Sequence, residues 1–169
     1  MTIEQINAMS RPEFVKTFGG VFEHSPWIAE QTVGPFEDIN DLFVRLTNTV
    51  SESSDEQKLA LIRAHPDLVG KLAKEGKLTR ASTAEQKAAG LTLLSADEVK
   101  QFETYNAQYR AKFGFPFVIC ARENKKSAIL RAFPERLQNS APQEMNTALS
   151  EIYRIVRLRL IDLFAKGDS

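Results

Sequence analysis

The sequence predicts an all-α protein, a single-domain bundle of about eight or nine helices covering residues 1–169. Three observations support this fold class. Capping serines recur before segments with helical spacing, and one long apolar stripe near the C-terminus has spacings of three and four residues. Only the short stretch "FPFVICA" resists a helical interpretation. At 169 residues the chain is also long enough to bury one sizeable core.

Two serine–proline combinations mark the first helix starts. Ser10 stands two residues before Pro12, and Ser25 directly precedes Pro26. A serine N-cap followed by a proline in the first turn is typical of a helix start, because the N–H group that proline lacks has no partner there. We therefore expect helices to begin after Ser10 and after Ser25.

Three further starts have the capping-box pattern, in which a serine is followed three residues later by Gln or Glu. They are the stretches "SDEQ" from Ser54, "STAE" from Ser82 and "SADE" from Ser95. Glycines at positions 34, 90 and 114 stand where the preceding helices are expected to end. Together these signals predict helices near 11–23, 26–33, 38–51, 55–64, 67–75, 84–89, 96–113, 125–138 and 142–165.

The stretch from Phe115 to Ala121 is short, apolar and rich in β-branched and aromatic residues, and Pro116 restricts the backbone at its start. No partner strands are visible in the sequence, so we predict a buried extended segment between two helices. Cys120 lies within this segment among apolar neighbours. It is expected to be an inert core thiol and not a nucleophile.

The composition argues against several classes of partner and cofactor. Lysine plus arginine and aspartate plus glutamate number 22 each, so no net field attracts the chain to nucleic acid or to an anionic membrane. The sequence contains no apolar run of 18 residues, no cluster of metal-ligand residues and no glycine-rich phosphate loop. We therefore expect neither a metal nor a cofactor, and no binding to nucleic acid or membrane.

The expected location is the cytoplasm. One cysteine cannot form an internal disulfide, which is typical of a reducing compartment. The N-terminus "MTIEQINAMS" lacks the pattern of a secretory signal, and the chain ends Gly167-Asp168-Ser169 instead of the peroxisomal Ser-Lys-Leu.

The last helix carries one unexpected charge. Its apolar stripe consists of Met145, Leu149, Ile152, Val156 and Leu163. The missing position of this stripe is occupied by Arg159, whereas Arg154 and Arg157 lie off the stripe and are expected to be solvated. A guanidinium on a buried stripe needs an internal salt-bridge partner or an anionic ligand, because an unpaired buried charge is costly. The sequence leaves both explanations open.

His65 is one of only two histidines and stands between the helix ending "LALIRA" and Pro66. A charged histidine at a helix C-terminus is stabilised by ~0.3–1 kcal/mol, which is a sufficient structural explanation. The alternative is a general acid or base on a rigid corner, because imidazole titrates near neutral pH. His24 precedes the Ser25 cap and is expected to be a packing or hydrogen-bonding residue.

Glu85 and Gln86 are expected at the start of a helix. A structural explanation suffices for both, because Glu85 completes a capping box and Gln86 is an ordinary helix former. The alternative is functional: backbone N–H groups at a helix start can hold a polar ligand.

Six blocks, in this order, resemble one family: "GGVFEHSPW", "AHPDL", "STAEQ", "FETYNAQYRAKFGFPFVICA", "ILRAFPERLQN" and "EIYRIVRLRL". They are similar to 2-oxo-4-hydroxy-4-carboxy-5-ureidoimidazoline (OHCU) decarboxylase, an enzyme of the urate-to-allantoin pathway. The resemblance runs from about Phe14 to Leu163, which is nearly the whole chain. "HPDL" alone is a weak pattern, whereas the six blocks in this order are specific.

The resemblance implies an all-helical, cofactor-free homodimer that converts OHCU to (S)-allantoin. The catalytic histidine of the family's "HPD" motif corresponds to His65, and the arginine of its C-terminal "RLRL" block corresponds to Arg159. Glu85 is expected to orient or charge His65, or to hold the ureido N–H groups of the substrate. The expected substrate-binding residues are Pro66, Ser82, Thr83, Ala84, Glu85, Gln86, Phe117, Val118, Ile119, Cys120, Ala121 and Arg159.

Two other interpretations remain. In the first, the chain is a helical binding or regulatory domain without catalysis, in which His65 caps a helix and Arg159 makes an internal ion pair. In the second, the chain is an inactive or repurposed member of the family. Removal of His65 distinguishes the first from an enzyme, because a binding domain changes in stability and has no turnover to lose.

Overall fold

The computed structural model describes residues 1–166, and all regular structure within them is helical. The all-α prediction is confirmed: residues 1–166 contain ten helices, slightly more than the predicted eight or nine. The helices are α1 Ile3–Asn7, α2 Arg11–Phe18, α3 Trp27–Gln31, α4 Ile39–Ser51, α5 Asp55–Arg63, α6 Lys71–Lys74, α7 Arg80–Ala88, α8 Ala96–Phe113, α9 Lys126–Arg136 and α10 Ala141–Lys166. One turn of 3-10 helix, Ala121–Glu123, precedes α9. Gly167, Asp168 and Ser169, on which the expected absence of a peroxisomal address rests, lie outside the described residues.

The chain forms two compact units. Unit 1 is Met1–Ala64 together with the chain from Tyr153 onward, and unit 2 is His65–Ile152. Helix α10 therefore contributes residues to both units. The organisation of the chain as a single domain stays a prediction.

Helix α4 contributes one aliphatic face to the core of unit 1. Leu42, Leu46 and Val50 recur every four residues on this helix, so they share one face, and all three are fully buried. Burial of each such side chain stabilises the fold by about 1.5–3 kcal/mol. Helix α3 packs against both α2 and α4, and α4 packs against α5. These contacts stabilise helices that are too short to persist alone.

Unit 2 is built around aromatic side chains. The rings of Phe117 and Phe133 stack with their centroids 3.8 Å apart, and Tyr109 meets Phe117 edge-on at 5.4 Å. Phe117 lies in the stretch 115–120, which is buried and contains neither helix nor strand. The predicted buried extended segment is therefore confirmed over 115–120, whereas Ala121, the last residue of the prediction, begins the 3-10 helix. The ring of Phe117 is packed between residues of α8 and α9.

Two helix starts in unit 1 differ from the prediction. Helix α1 is absent from the sequence prediction, although Thr2 forms a capping box with Gln5. Ser25 does not cap α3: its hydroxyl donates to the carbonyl of Glu23 at 2.9 Å, and Pro26 occupies the N-cap position without a side-chain bond. The hydroxyl thus satisfies a carbonyl that precedes the helix and not the N–H groups at its start.

The helix predicted over 67–75 is much shorter in the structure. Helix α6 covers only Lys71–Lys74, and the residues before it form a loop in which Val69 has a φ of 54°. A positive φ is incompatible with helix continuation and is rare for a β-branched residue. The loop that follows His65 therefore replaces the first turn that the sequence pattern predicts.

Candidate active site

The two histidines have opposite environments. His65 lies two residues after the end of α5, at the first position of unit 2, and only 6% of its surface is exposed. His24 is exposed and has a φ of 48°. Of the two roles expected for His24, packing is wrong because its side chain lies on the surface, and hydrogen bonding stays a prediction. His65 is thus the buried histidine, as a general acid shielded from bulk water requires.

The loop after His65, residues 66–69, is fastened by side chains from two helices. Gln86 of α7 accepts a hydrogen bond from the Val69 N–H at 3.2 Å, and its Nε2 donates to the carbonyl of Asp67 at 3.4 Å. Asn106 of α8 donates to the carbonyl of Leu68 at 2.8 Å. These bonds satisfy backbone groups that no regular structure satisfies, and they hold the loop in one conformation.

The carboxylate of Asp67 adds a further attachment. The Nε of Arg110, on α8, approaches both oxygens of Asp67, at 3.0 and 3.1 Å. This pair is partly exposed, so its contribution to stability is about 0–1 kcal/mol. The pair also restricts the position of the loop, because it links Asp67 of the "HPD" stretch to helix α8.

Helix α7 begins four residues earlier than predicted. Thr79 is its N-cap and accepts a hydrogen bond from the N–H of Ser82 at 3.2 Å, so Ser82 is not the cap. The earlier cap prevails because it adds a turn of helix in which the Thr83 N–H bonds the Thr79 carbonyl at 2.9 Å. The proposed role of helix-start N–H groups at Glu85 and Gln86 is therefore wrong, since both residues lie inside the helix.

The predicted binding residues on α7 divide between two faces. Ser82 and Gln86 are buried and Glu85 is half-buried, whereas Thr83 and Ala84 are exposed. The residues at spacings of three and four share one face of the helix, and this is the face that bears polar groups toward the interior of unit 2.

The extended segment meets α7 through its continuation. The 3-10 helix Ala121–Glu123, which directly follows Cys120, packs against α7. Phe117, Val118, Ile119, Cys120 and Ala121 are all buried. Burial raises the pKa of the Cys120 thiol to about 11, with smaller contributions from the negative charges of Glu123, Glu151 and Glu85. A thiol that stays protonated at neutral pH is a poor nucleophile, which agrees with the inert role expected for Cys120.

A buried polar cluster beneath the extended segment is absent from the sequence prediction. Glu144, which is fully buried, accepts hydrogen bonds from Arg136 Nε at 2.7 Å, Tyr109 Oη at 2.7 Å and Asn139 Nδ2 at 2.9 Å. Arg136 Nη1 donates to the carbonyl of Val118 at 2.6 Å. Burial and the bond to Glu144 raise the pKa of Tyr109. The sequence "FPERLQNSAPQE" contains both Arg136 and Glu144, but only the fold shows that these two charged side chains are buried and paired.

Arg159 lies in unit 1 and is 7% exposed, whereas Arg157 is exposed, as the stripe predicts. The Nη2 of Arg159 lies 3.2 Å from Glu23 Oε2, and its Nη1 donates to the carbonyl of Val21 at 3.3 Å. Of the two explanations left open by the sequence, the structure contains the internal ion pair.

Unit 2 therefore brings together most of the expected site residues. The "HPD" loop is bonded to α7, and α7 packs against the end of the extended segment. A buried imidazole, a polar helix face and an extended backbone together suit proton transfer to a small polar molecule. Within residues 1–166, no three His, Cys, Asp or Glu side chains are grouped so as to hold a metal ion. No helix of the described chain combines the length and apolarity needed to cross a bilayer.

Comparison with known proteins identifies the family. The family model for OHCU decarboxylase matches residues 7–161. The 2-oxo-4-hydroxy-4-carboxy-5-ureidoimidazoline decarboxylase of Amia calva is 42% identical over 165 residues, and the match covers 96% of this chain and 94% of the relative.

Two solved structures have the same fold. One is a crystal structure of (S)-allantoin synthase, with a TM-score of 0.77 and 29% identity; the match covers 96% of this chain and 54% of that one. The other is a crystal structure of OHCU decarboxylase in the presence of (S)-allantoin, with a TM-score of 0.67 and 26% identity over 82% of this chain and 91% of that one. A family match over most of the sequence thus coincides with a shared fold, and the chain belongs to the OHCU decarboxylase family.

Proposed function

We propose that this protein decarboxylates 2-oxo-4-hydroxy-4-carboxy-5-ureidoimidazoline to (S)-allantoin in urate degradation, with His65 as the proton donor. The observation that carries the proposal is the buried position of His65 beside a loop held by Gln86 and Asn106, in a chain of this family. A proton donor acts stereospecifically only if its position is fixed, and these bonds fix the backbone next to it.

The substrate supplies its own electron sink. The departing carboxylate of OHCU is attached to a carbon next to a ring C=N bond, so the electron pair released with CO2 flows into that imine. The enzyme must then orient the ring, stabilise the enol or enolate that forms, and deliver one proton to one face. A positioned acid contributes about 10²–10⁴-fold to such a step.

The other residues of the site bind and orient the substrate in this proposal. Glu85, half-buried on the polar face of α7, orients or charges His65 or holds the ureido N–H groups. Gln86 keeps one Nε2 hydrogen for the ureido end while its amide holds the "HPD" loop. Arg159 binds an anionic or carbonyl oxygen, and the backbone of 117–121 grips the ring amides. Pro66 and Ser82 also contact the substrate in this proposal.

The decisive experiment generates OHCU in solution from urate with the two upstream enzymes and follows circular dichroism. Spontaneous decay of OHCU gives racemic allantoin, whereas the enzyme is expected to give an optically active product. A dichroism trace that is the same with and without the protein contradicts the proposed function.

One observation favours a non-catalytic alternative. The Arg159–Glu23 ion pair supplies the internal partner that a purely structural arginine needs. A helical binding domain of this kind produces no enzyme-dependent optical activity, and its His65→Asn variant changes only in stability. The dichroism experiment therefore separates the two functions directly.

The proposal includes a cytoplasmic homodimer. The single buried cysteine is compatible with a reducing compartment. Sedimentation of the purified protein tests the dimer, and a monomer at micromolar concentration contradicts it. Fractionation of cells that express the native protein tests the location, and recovery from a membrane-bounded compartment contradicts it.

A further inference from the structure

The polar cluster of Tyr109, Arg136, Asn139 and Glu144 occupies a part of unit 2 that hydrophobic side chains would ordinarily fill. Glu144 has no exposed surface, and Arg136 is 8% exposed. A buried ion pair gives weak net stabilisation, because the desolvation of both charges offsets their attraction. The cluster therefore calls for an explanation other than stability.

The cluster is directed at one peptide group of the extended segment. The Nε of Arg136 donates a hydrogen bond to Glu144 Oε1 at 2.7 Å, and its Nη1 donates to the carbonyl of Val118 at 2.6 Å. Its guanidinium also lies over the ring of Phe117, 4.2 Å from the centroid. The planar fork of arginine makes both bonds at once and so sets the orientation of the carbonyl relative to the pair.

Fixing this carbonyl fixes the next N–H group. The peptide between Val118 and Ile119 is trans, so its N–H points in the direction opposite to its C=O. The N–H of Ile119 therefore points away from Arg136. Among the hydrogen bonds of residues 1–166, none has the backbone N–H of Ile119 as its donor. A backbone donor without a partner in a buried segment is costly in the empty protein and is available to a ligand.

We infer that Arg136 and Glu144 are positioning residues for catalysis: through the Val118 carbonyl they orient the Ile119 N–H toward a carbonyl oxygen of the substrate ring. This inference rests on the proposed function. Tyr109 and Asn139 contribute by holding the Glu144 carboxylate, to which both donate hydrogen bonds. The cluster does not touch the reacting atoms, so its effect on turnover passes through one backbone group.

The test uses Arg136→Lys in the full chain, with Arg131→Lys as the matched control. Lysine keeps the ion pair with Glu144 but lacks the second arm that holds the Val118 carbonyl. Arg131 lies on the same helix and is exposed, so its replacement changes the same residue type without touching the cluster. Each protein is ¹⁵N-labelled and titrated with (S)-allantoin, and kcat/KM is measured on OHCU generated in solution.

The parent is expected to show a shift of the Ile119 amide resonance on addition of (S)-allantoin. Arg136→Lys is expected to remain folded, to lose most of that shift, and to fall about tenfold in both allantoin affinity and kcat/KM. Arg131→Lys should match the parent. A folded Arg136→Lys protein with the parent's affinity and kcat/KM overturns the inference, and so does a parent whose Ile119 resonance ignores saturating (S)-allantoin.

If Arg136→Lys does not fold, Arg136→Met/Glu144→Leu replaces it under the same criteria, because removing both charges leaves no unpaired ion in the core. An inactive parent refutes the proposed function itself. An active parent beside fully active variants refutes only the positioning role, so the two failures are distinguishable.

Discussion

The ion pair of Arg159 and Glu23 allows stability and catalysis to be tested separately. Arg159→Met replaces the guanidinium with an apolar side chain that suits the stripe, but it leaves Glu23, 2% exposed, without this partner. Glu23→Gln/Arg159→Met removes both charges. Arg157→Met is the matched control on the same helix, where the side chain is exposed and its guanidinium lies 5.6 Å from the Phe43 ring centroid.

The expected magnitudes follow from burial. Loss of one partner from a buried pair costs about 3–5 kcal/mol, and 1 kcal/mol corresponds to about 2–4 °C in Tm for a chain of this size. Arg159→Met is therefore expected to lower Tm by roughly 6–20 °C. The double variant is expected to recover to within about 2 kcal/mol of the parent, because a neutral pair leaves no buried charge. Arg157→Met should change stability by less than about 1 kcal/mol.

Thermal unfolding measures the first effect and the dichroism assay measures the second. If Arg159 also binds a substrate oxygen, the stable double variant should lose about 10–100-fold in turnover, as expected for a hydrogen bond to a charged group. If Arg159→Met has the same Tm as the parent, the ion pair with Glu23 does not stabilise the fold. A double variant with full turnover removes Arg159 from the site.

Three further predictions concern the proton donor, the cofactor and the cysteine. His65→Asn should lose about 100-fold or more in turnover, with an unchanged far-ultraviolet dichroism spectrum. His24→Asn, on the exposed surface, should keep the turnover of the parent. If instead His24→Asn loses turnover and His65→Asn keeps it, the proton donor is His24. Exhaustive chelation with EDTA should leave turnover unchanged, and a loss that a divalent metal restores contradicts a cofactor-free mechanism. Because burial raises the pKa of Cys120 to about 11, its thiolate fraction at pH 8 should be roughly two-hundred-fold below that of an ordinary cysteine, so iodoacetamide should label it only after unfolding; rapid labelling of the native protein contradicts this.

Local signals predict the helices whose ends are determined locally. The bounds of α8 follow from the Ser95 capping box and from Gly114, whose φ of 76° ends the helix, and the prediction near 96–113 agrees with the structure. Helix α7 is different, because Thr79 and Ser82 both have the chemistry of an N-cap. Which of two caps three residues apart is used depends on whether the extra turn packs, and a local pattern does not contain that information.

Local sequence patterns do not identify the partners of buried polar and charged residues. The stripe on α10 shows that Arg159 is buried, but Glu23 lies 136 positions earlier in the chain. Likewise, the pairing of Tyr109 with Glu144 joins residues 35 positions apart. Sequence patterns identify the face on which a charge lies, whereas only the packed fold determines what it meets. The family resemblance supplied the expected site residues, and it gave no account of the cluster around Arg136.

The conformation of Val69 bears on how this enzyme responds to selection for heat resistance. A β-branched residue with a φ of 54° carries strain of about 1–3 kcal/mol, and the loop holds it there with a hydrogen bond to Gln86. A screen that rewards thermostability alone should therefore find replacements at position 69 that tolerate this backbone, such as asparagine or glycine. Such replacements relax the backbone two residues beyond the proposed catalytic "HPD" stretch, so a gain in thermostability at position 69 is expected to lower turnover.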